Sequence, residues 1–237
     1  MDILGKNMHK LFPMFELQAQ LNAATNGPNW TSGITKNEKI INWRRCIYME
    51  CAEMIDSFSW KHWKNIDQAP DWDNLQIEVV DVWHFILSLA IENYAQTQQG
   101  TTDILALNMA KLGAFEQINK EGTAFASQEL ILAKVEELMR IALKKEDLEL
   151  EGLFENFFDL VLLSGLNLAT LYRLYVGKNI LNQFRQDNGY KDGSYIKVWD
   201  GQEDNVVMKK IWEEDANIQP DMLYTKLTKA YAALPKS

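Results

Sequence analysis

Behind Pro13 the apolar positions Met14, Leu17, Leu21 and Ala24 recur at helical spacing until Asn26-Gly27-Pro28 breaks the run. The pattern predicts a first helix starting at the proline, where a missing N–H is tolerated. A loop carrying Trp30 and Gly33 follows, and Asn37 is the expected cap of a second helix over Glu38 to Phe58. Placed at 100° per residue, its Ile40, Trp43, Ile47, Cys51, Met54 and Phe58 form one stripe. Glu50 falls on the shoulder of that stripe and Glu53 lies beside it. Asp56 points away and is expected to be merely solvated.

After a turn at Ala69-Pro70-Asp71, the segment DNLQIEVVDVWHFILSLAIENY predicts a third helix of another kind. Its Val, Ile, Leu and Trp residues cover most of the circumference, so it should be buried nearly all round. The polar residues Glu78, Asp81, His84, Ser88 and Glu92 occupy a single strip, which must therefore face something polar inside the protein.

Residues 95–125 carry little pattern beyond an apolar run near Leu105 to Phe115, residues 126–146 read as an amphipathic helix, and KKEDLELEG reads as a charged connector. LFENFFDLVLLSGLNLATLYRLYV then reads as one strongly apolar helical stretch. On its continuation Lys178, Asn182 and Arg185 share a face, and turns at Asn188-Gly189 and Asp192-Gly193 flank Lys191. A final charged helix closes the chain beyond Trp199 and Gly201. The expected fold is all-α, a helical bundle in a single domain over 1–237. It comprises an acidic core at about 13–95, a variable region at about 97–150 and carboxy-terminal helices at about 153–237.

Composition narrows the function classes. The 237 residues are 47% hydrophobic, enough for a sizeable core. A formal net charge of -9 disfavours an extensive nucleic-acid or anionic-membrane surface. The two cysteines, Cys46 and Cys51, lie too far apart along a helix to bridge, in keeping with a reducing cytoplasm. The amino terminus lacks a signal-peptide pattern, and no window reads as a membrane span.

The acids carry the chemistry. Glu50 and Glu53 stand at i, i+3, and Glu78 with Asp81 repeats that spacing on the third helix. Facing pairs on antiparallel helices would gather four carboxylates, whose repulsion and desolvation call for cations. Neither helix places a base on that strip, so a divalent metal is the expected partner, and all-oxygen ligation favours Mg²⁺ or Mn²⁺. Asp81 with His84 also suggests half of a di-iron arrangement, but the second helix offers no histidine. Such Mg²⁺ sites keep positions for substrate phosphates, and Lys178, Arg185 and Lys191 supply cationic donors. Gln18 and Asn22, four apart, place two amides side by side, and Trp60 and Trp63 beside Lys61 and Lys64 add flat surface that could stack a base.

The strings RRCIYMECAEMIDSFSWKHWK and IEVVDVWHFILS, followed by GKNILNQFRQDNGYKDGSY, resemble the dimeric dUTPases of the all-α nucleoside triphosphate pyrophosphatase superfamily, especially the epsilonproteobacterial forms. The resemblance covers nearly the whole chain, least in 97–150. It implies a homodimeric enzyme that hydrolyses dUTP, and also dUDP, to dUMP with more than one Mg²⁺ ion, attack falling at the β-phosphorus by family precedent. It implies Glu50, Glu53, Glu78 and Asp81 as metal ligands, with Glu53 aligning or deprotonating the attacking water. Gln18 and Asn22 would read uracil, with Gln20 a competitor. Trp60 and Lys61 would lie against the nucleotide, and His84 and Phe85 near the deoxyribose. Lys178, Asn182, Arg185, Asn188, Tyr190 and Lys191 would hold base, sugar and phosphates as the site closes. A MazG-like pyrophosphatase for another nucleotide is the runner-up, and a helical scaffold with surface acids the alternative of another class.

Overall fold

A computed structural model describes residues 3–64, 68–120, 123–144, 148–215 and 218–234, with side chains from residue 10 onward. Among the described residues its regular elements are helices and one two-stranded hairpin, with two isolated β-bridges besides. The chain divides into two units, residues 1–172 and 173–237.

In the first unit α1 spans Ile3–Asn26, so Pro13 lies inside the helix and not at its start. Interior proline removes one backbone hydrogen bond, but Leu11, Met14 and Phe15 on both sides of it are fully buried, and that burial offsets the loss. A short 3₁₀ turn at Trp30–Ser32 follows.

The second helix, α2, spans Trp43–Asp56 and so begins five residues later than the apolar spacing predicts. Glu38 adopts a positive φ of 61°, and Ile34 and Ile40 form an antiparallel bridge. Ile40 is therefore exposed and leaves the stripe. Asn42, not Asn37, caps the helix by accepting from the Arg45 N–H at 2.9 Å. The rest of the stripe, Trp43, Ile47, Cys51, Met54 and Phe58, is buried.

Asp71 caps α3, Trp72–Thr97, through the Asn74 N–H at 2.9 Å. This helix is the centre of the unit, packed by α1, α2, α7 (Leu150–Leu163) and α4 (Thr102–Met109). Trp83 stacks on Phe157 with centroids 4.8 Å apart and meets Phe154 edge-on. Contrary to the sequence expectation, α3 is long and apolar enough to cross a membrane, but 72% of its apolar window is buried inside the protein. Trp43 against Phe85 and Phe58 against Trp72 show that α2 and α3 run antiparallel.

The weakly patterned region holds α4 and α5, Gly113–Ile118, and the amphipathic segment is α6, Gln128–Leu143, packed on α2 and α7. Residues 145–147 of the expected charged connector lie outside the described residues. The apolar stretch expected as one helix is two. Gly165, at φ 69°, ends α7 while the Leu166 N–H returns to the Val161 carbonyl. Asn167 then accepts from the Thr170 N–H at 2.9 Å and starts α8, Leu168–Asp187.

In the second unit a hairpin, β1 Val198–Trp199 and β2 Gln202–Glu203, turns through Asp200 and Gly201, both at positive φ. Two helices, α9 Asp204–Glu214 and α10 Pro220–Ala232, follow where one was expected. Phe184 of α8 packs against Tyr195, Trp199, Tyr224 and Tyr231. Gly177 lets α9 approach closely, since a Cβ there would lie 2.8 Å from Met208 Sδ.

Candidate active site

The antiparallel pairing of α2 and α3 brings Glu50, Glu78 and Asp81 together, with a ligand oxygen of each within 4.8 Å of the others. Glu78 is buried, whereas Glu50 and Asp81 are half-buried. Glu53 sits on the next turn of α2, exposed and outside that trio. The donors are all hard oxygens from two rigid helices, a set suited to Mg²⁺, Mn²⁺ or Ca²⁺ and not to zinc or copper.

Two turns beyond Asp81 on α3 the polar strip meets α1. The Asn22 amide donates to Ser88 Oγ at 2.9 Å and Gln18 Nε2 donates to the same oxygen at 3.0 Å. Ser88 in turn donates to the His84 carbonyl at 2.7 Å. With its proton committed there, the hydroxyl can only accept from the two amides. Gln18 Nε2 also donates to Asn22 Oδ1 at 3.1 Å. Gln18, Asn22, Ser88 and His84 are all buried, while Gln20 is exposed. His84 Nδ1 lies 2.8 Å from the Val80 carbonyl, which assigns the proton to that nitrogen. The half-buried Phe85 ring is stacked on Trp43, centroids 6.1 Å apart.

Glu92 ends the strip. It is half-buried, and burial pushes its carboxyl up to about 7. The Trp43 indole N–H is near enough to pull it back somewhat, yet Trp43 Nε1 and Glu92 Oε1 complete no hydrogen bond.

Asp56 is exposed, as expected, but it is more than solvated. It accepts from Trp60 Nε1 at 2.7 Å and from Lys61 Nζ at 3.2 Å, and these bonds hold its carboxyl below the ordinary value. Lys61 lies over the Trp60 ring, 5.1 Å from its centroid, and Trp60 meets Trp63 edge-on. Asp56, Trp60 and Lys61, with Phe58, Ser59, Lys64 and Gln68, line a cavity of about 160 Å³.

The remaining expected residues lie in the second unit. Lys178 Nζ donates to Asn205 Oδ1 at 2.8 Å, and Arg185 pairs with Asp204 while donating to Asn182 Oδ1 at 3.1 Å. Tyr190 is exposed with its ring 5.8 Å from the Arg185 guanidinium carbon, Asn188 closes α8 by donating to the Phe184 carbonyl, and Lys191 is exposed. Sequence reasoning passed over Asp204, Asn205 and Tyr195 in this network. Their only signal was an acid and an amide opening a helix directly after a Gly turn.

Comparison with known proteins gives a family. The profile of the family described as dUTPase matches residues 10–190, about three quarters of the chain. No curated protein matches the chain. The match takes in both acidic helices, the two amides of α1 and the cationic face of α8. This all-α chain belongs to the dUTPase family and is a dUTP diphosphatase.

Proposed function

We propose that the enzyme converts dUTP, and also dUDP, to dUMP with Mg²⁺ held by Glu50, Glu78 and Asp81, and that Mn²⁺ substitutes. The observation that carries the reading is the convergence of these three carboxylates, oxygens within 4.8 Å, from two antiparallel helices. The family generally uses a divalent metal. Mg²⁺ at about 2.1 Å from each oxygen needs ligand oxygens about 3 to 4.2 Å apart, so the trio fits after small side-chain rotations. A cation held by Glu50, Glu78 and Asp81 would neutralise phosphate charge and make a nearby water more acidic.

The protein's own groups do the rest. Glu53, exposed one turn beyond Glu50, is assigned as the fourth carboxylate and the acceptor of the proton from the attacking water; attack at the β-phosphorus displaces dUMP in line and leaves the attacked group as pyrophosphate from dUTP or as phosphate from dUDP. Gln18 and Asn22 read uracil, whose N3–H between two carbonyls needs one acceptor and flanking donors. Phe85, held by Trp43, and His84 limit room beside the deoxyribose. Trp60 and Lys61 lie against the nucleotide, and Lys178, Asn182, Arg185, Asn188, Tyr190 and Lys191 hold it through charge and hydrogen bonds. The working form is a homodimer, to be checked by sedimentation at assay concentration.

The deciding experiment incubates the protein with dUTP, dUDP, dCTP, dTTP and UTP plus Mg²⁺, with and without chelator. Release of dUMP and pyrophosphate from dUTP, abolished by chelator, with weak turnover of dCTP, dTTP and UTP, is expected. Equal turnover of dCTP refutes the uracil assignment, and turnover in chelator refutes the metal.

A further inference from the structure

The Asp204 carboxylate is fully buried at the first turn of α9. Arg185 grips it with two bonds, Nε to Oδ2 at 2.8 Å and Nη2 to Oδ1 at 2.8 Å. The Tyr195 hydroxyl donates to Oδ2 at 2.8 Å. Burial pushes this carboxyl up, but the Arg185 bonds and charge, with Tyr195 and Lys178, outweigh it and keep the group below its ordinary value. Helix N-terminal peptide dipoles favour the same charge.

The other sides of the guanidinium are also held. Asn182 accepts from Nη1 at 3.1 Å, Asn205 accepts from Nη2 at 3.4 Å, and the guanidinium carbon lies over the Tyr190 ring, 5.8 Å from its centroid. Asn205 accepts from Lys178 as well, so one residue pair at the head of α9 fixes both cations. Replacing a buried ion pair by well-packed apolar groups is often neutral for stability, so fold stability alone is a weak reason for this arrangement. Orientation is the better one. A fork held along its Nε and Nη2 edge has its plane set before a ligand arrives, and the ordering cost of a long side chain is already met.

We propose that Asp204 is the positioning residue that presents Arg185, through its Nη1 edge, to the phosphates of the nucleotide, with Tyr195 and Asn205 as its supports. A phosphate oxygen would take that edge in exchange for the partner held there without ligand. The proposal rests on the reading that Arg185 contacts the nucleotide. It also places a functional group beyond residue 190, where the family match ends.

The test measures KM and kcat for dUTP in four proteins: wild type, Asp204→Asn, Arg185→Gln and the double variant. Asp204→Asn is expected to raise KM about tenfold with kcat within about threefold, and Arg185→Gln to raise KM by at least as much. In the Arg185→Gln background the Asp204 change should add less than about twofold. A merely structural role lowers the fraction of active enzyme and the melting temperature without this split. An unchanged KM in Asp204→Asn beside a raised one in Arg185→Gln overturns the proposal, as do effects that multiply. An unchanged KM in Arg185→Gln overturns the nucleotide contact itself and the proposal with it. If Asp204→Asn does not fold, Tyr195→Phe, which removes one donor from the same carboxylate, is judged by the same cycle with an expected rise of about threefold.

Discussion

Asn22 and Ser88 are joined by a 2.9 Å hydrogen bond that ties α1 to α3 in the interior. Because the Ser88 proton is committed to the His84 carbonyl, both amides turn an N–H toward it, and their remaining faces are set by one hydroxyl. Ser88→Ala frees those amides to flip. The dUTP over dCTP ratio of kcat/KM should fall about tenfold, with a stability loss of about 1–3 kcal/mol for the stranded donors. Thermal melting and a two-substrate assay check this, and an unaltered ratio removes Ser88 from specificity.

The carboxylate trio yields a sharper expectation. Asp81→Asn or Glu50→Gln should abolish Mg²⁺ binding in calorimetry and lower kcat/KM at least about a thousandfold, since each removes a charged ligand from a small set. Either variant should fold normally, because it relieves repulsion among the acids. A heat of Mg²⁺ binding equal to wild type in both would contradict the site.

Glu92 predicts a pH dependence of stability. Between its ordinary value of 4.5 and about 7 the folded protein keeps a proton that the unfolded chain has released. Stability from this group therefore falls as pH rises through that window and levels off above it. Glu92→Gln should be about 1 kcal/mol more stable than wild type at pH 8, the value being reduced because half the group faces solvent. The advantage should vanish near pH 4.5. Urea titrations at three pH values decide, and a gap independent of pH rejects the assignment.

What the sequence revealed follows the physics of each segment. The nearly all-apolar cylinder of α3 and its single polar strip were legible because burial and periodicity agreed over 26 residues. The Trp43 to Phe58 stripe was legible too, but its upstream limit was not. Ile40 has the right spacing, yet the left-handed Glu38 and the Asn42 cap decide where helical hydrogen bonding begins. The break at Gly165 was hidden by hydrophobicity on both sides, and it rests on a local Gly turn and an Asn167 cap. Of the candidate site, the acidic spacing announced the gathering of Glu50, Glu78 and Asp81. Asp204 stayed invisible because its significance lies in a pairing 19 residues distant with no periodic signature.

The chemistry of α3 also bears on how the chain survives its own synthesis. Emerging from the ribosome, Trp72–Thr97 has the length and apolarity of a membrane-inserting segment. Acidic side chains near the middle of such a segment each oppose insertion by about 2.5–3.5 kcal/mol. Glu78 and Asp81 are thus expected to act as gatekeepers while the helix is naked, before α1, α2 and α7 cover it. Replacing Glu78 and Asp81 together by leucine should move newly made protein into the membrane or aggregate fraction, and a fully soluble product would count against this second duty. The carboxylates proposed to gather cations in the finished enzyme would then also be what lets so greasy a helix reach its place inside a protein at all.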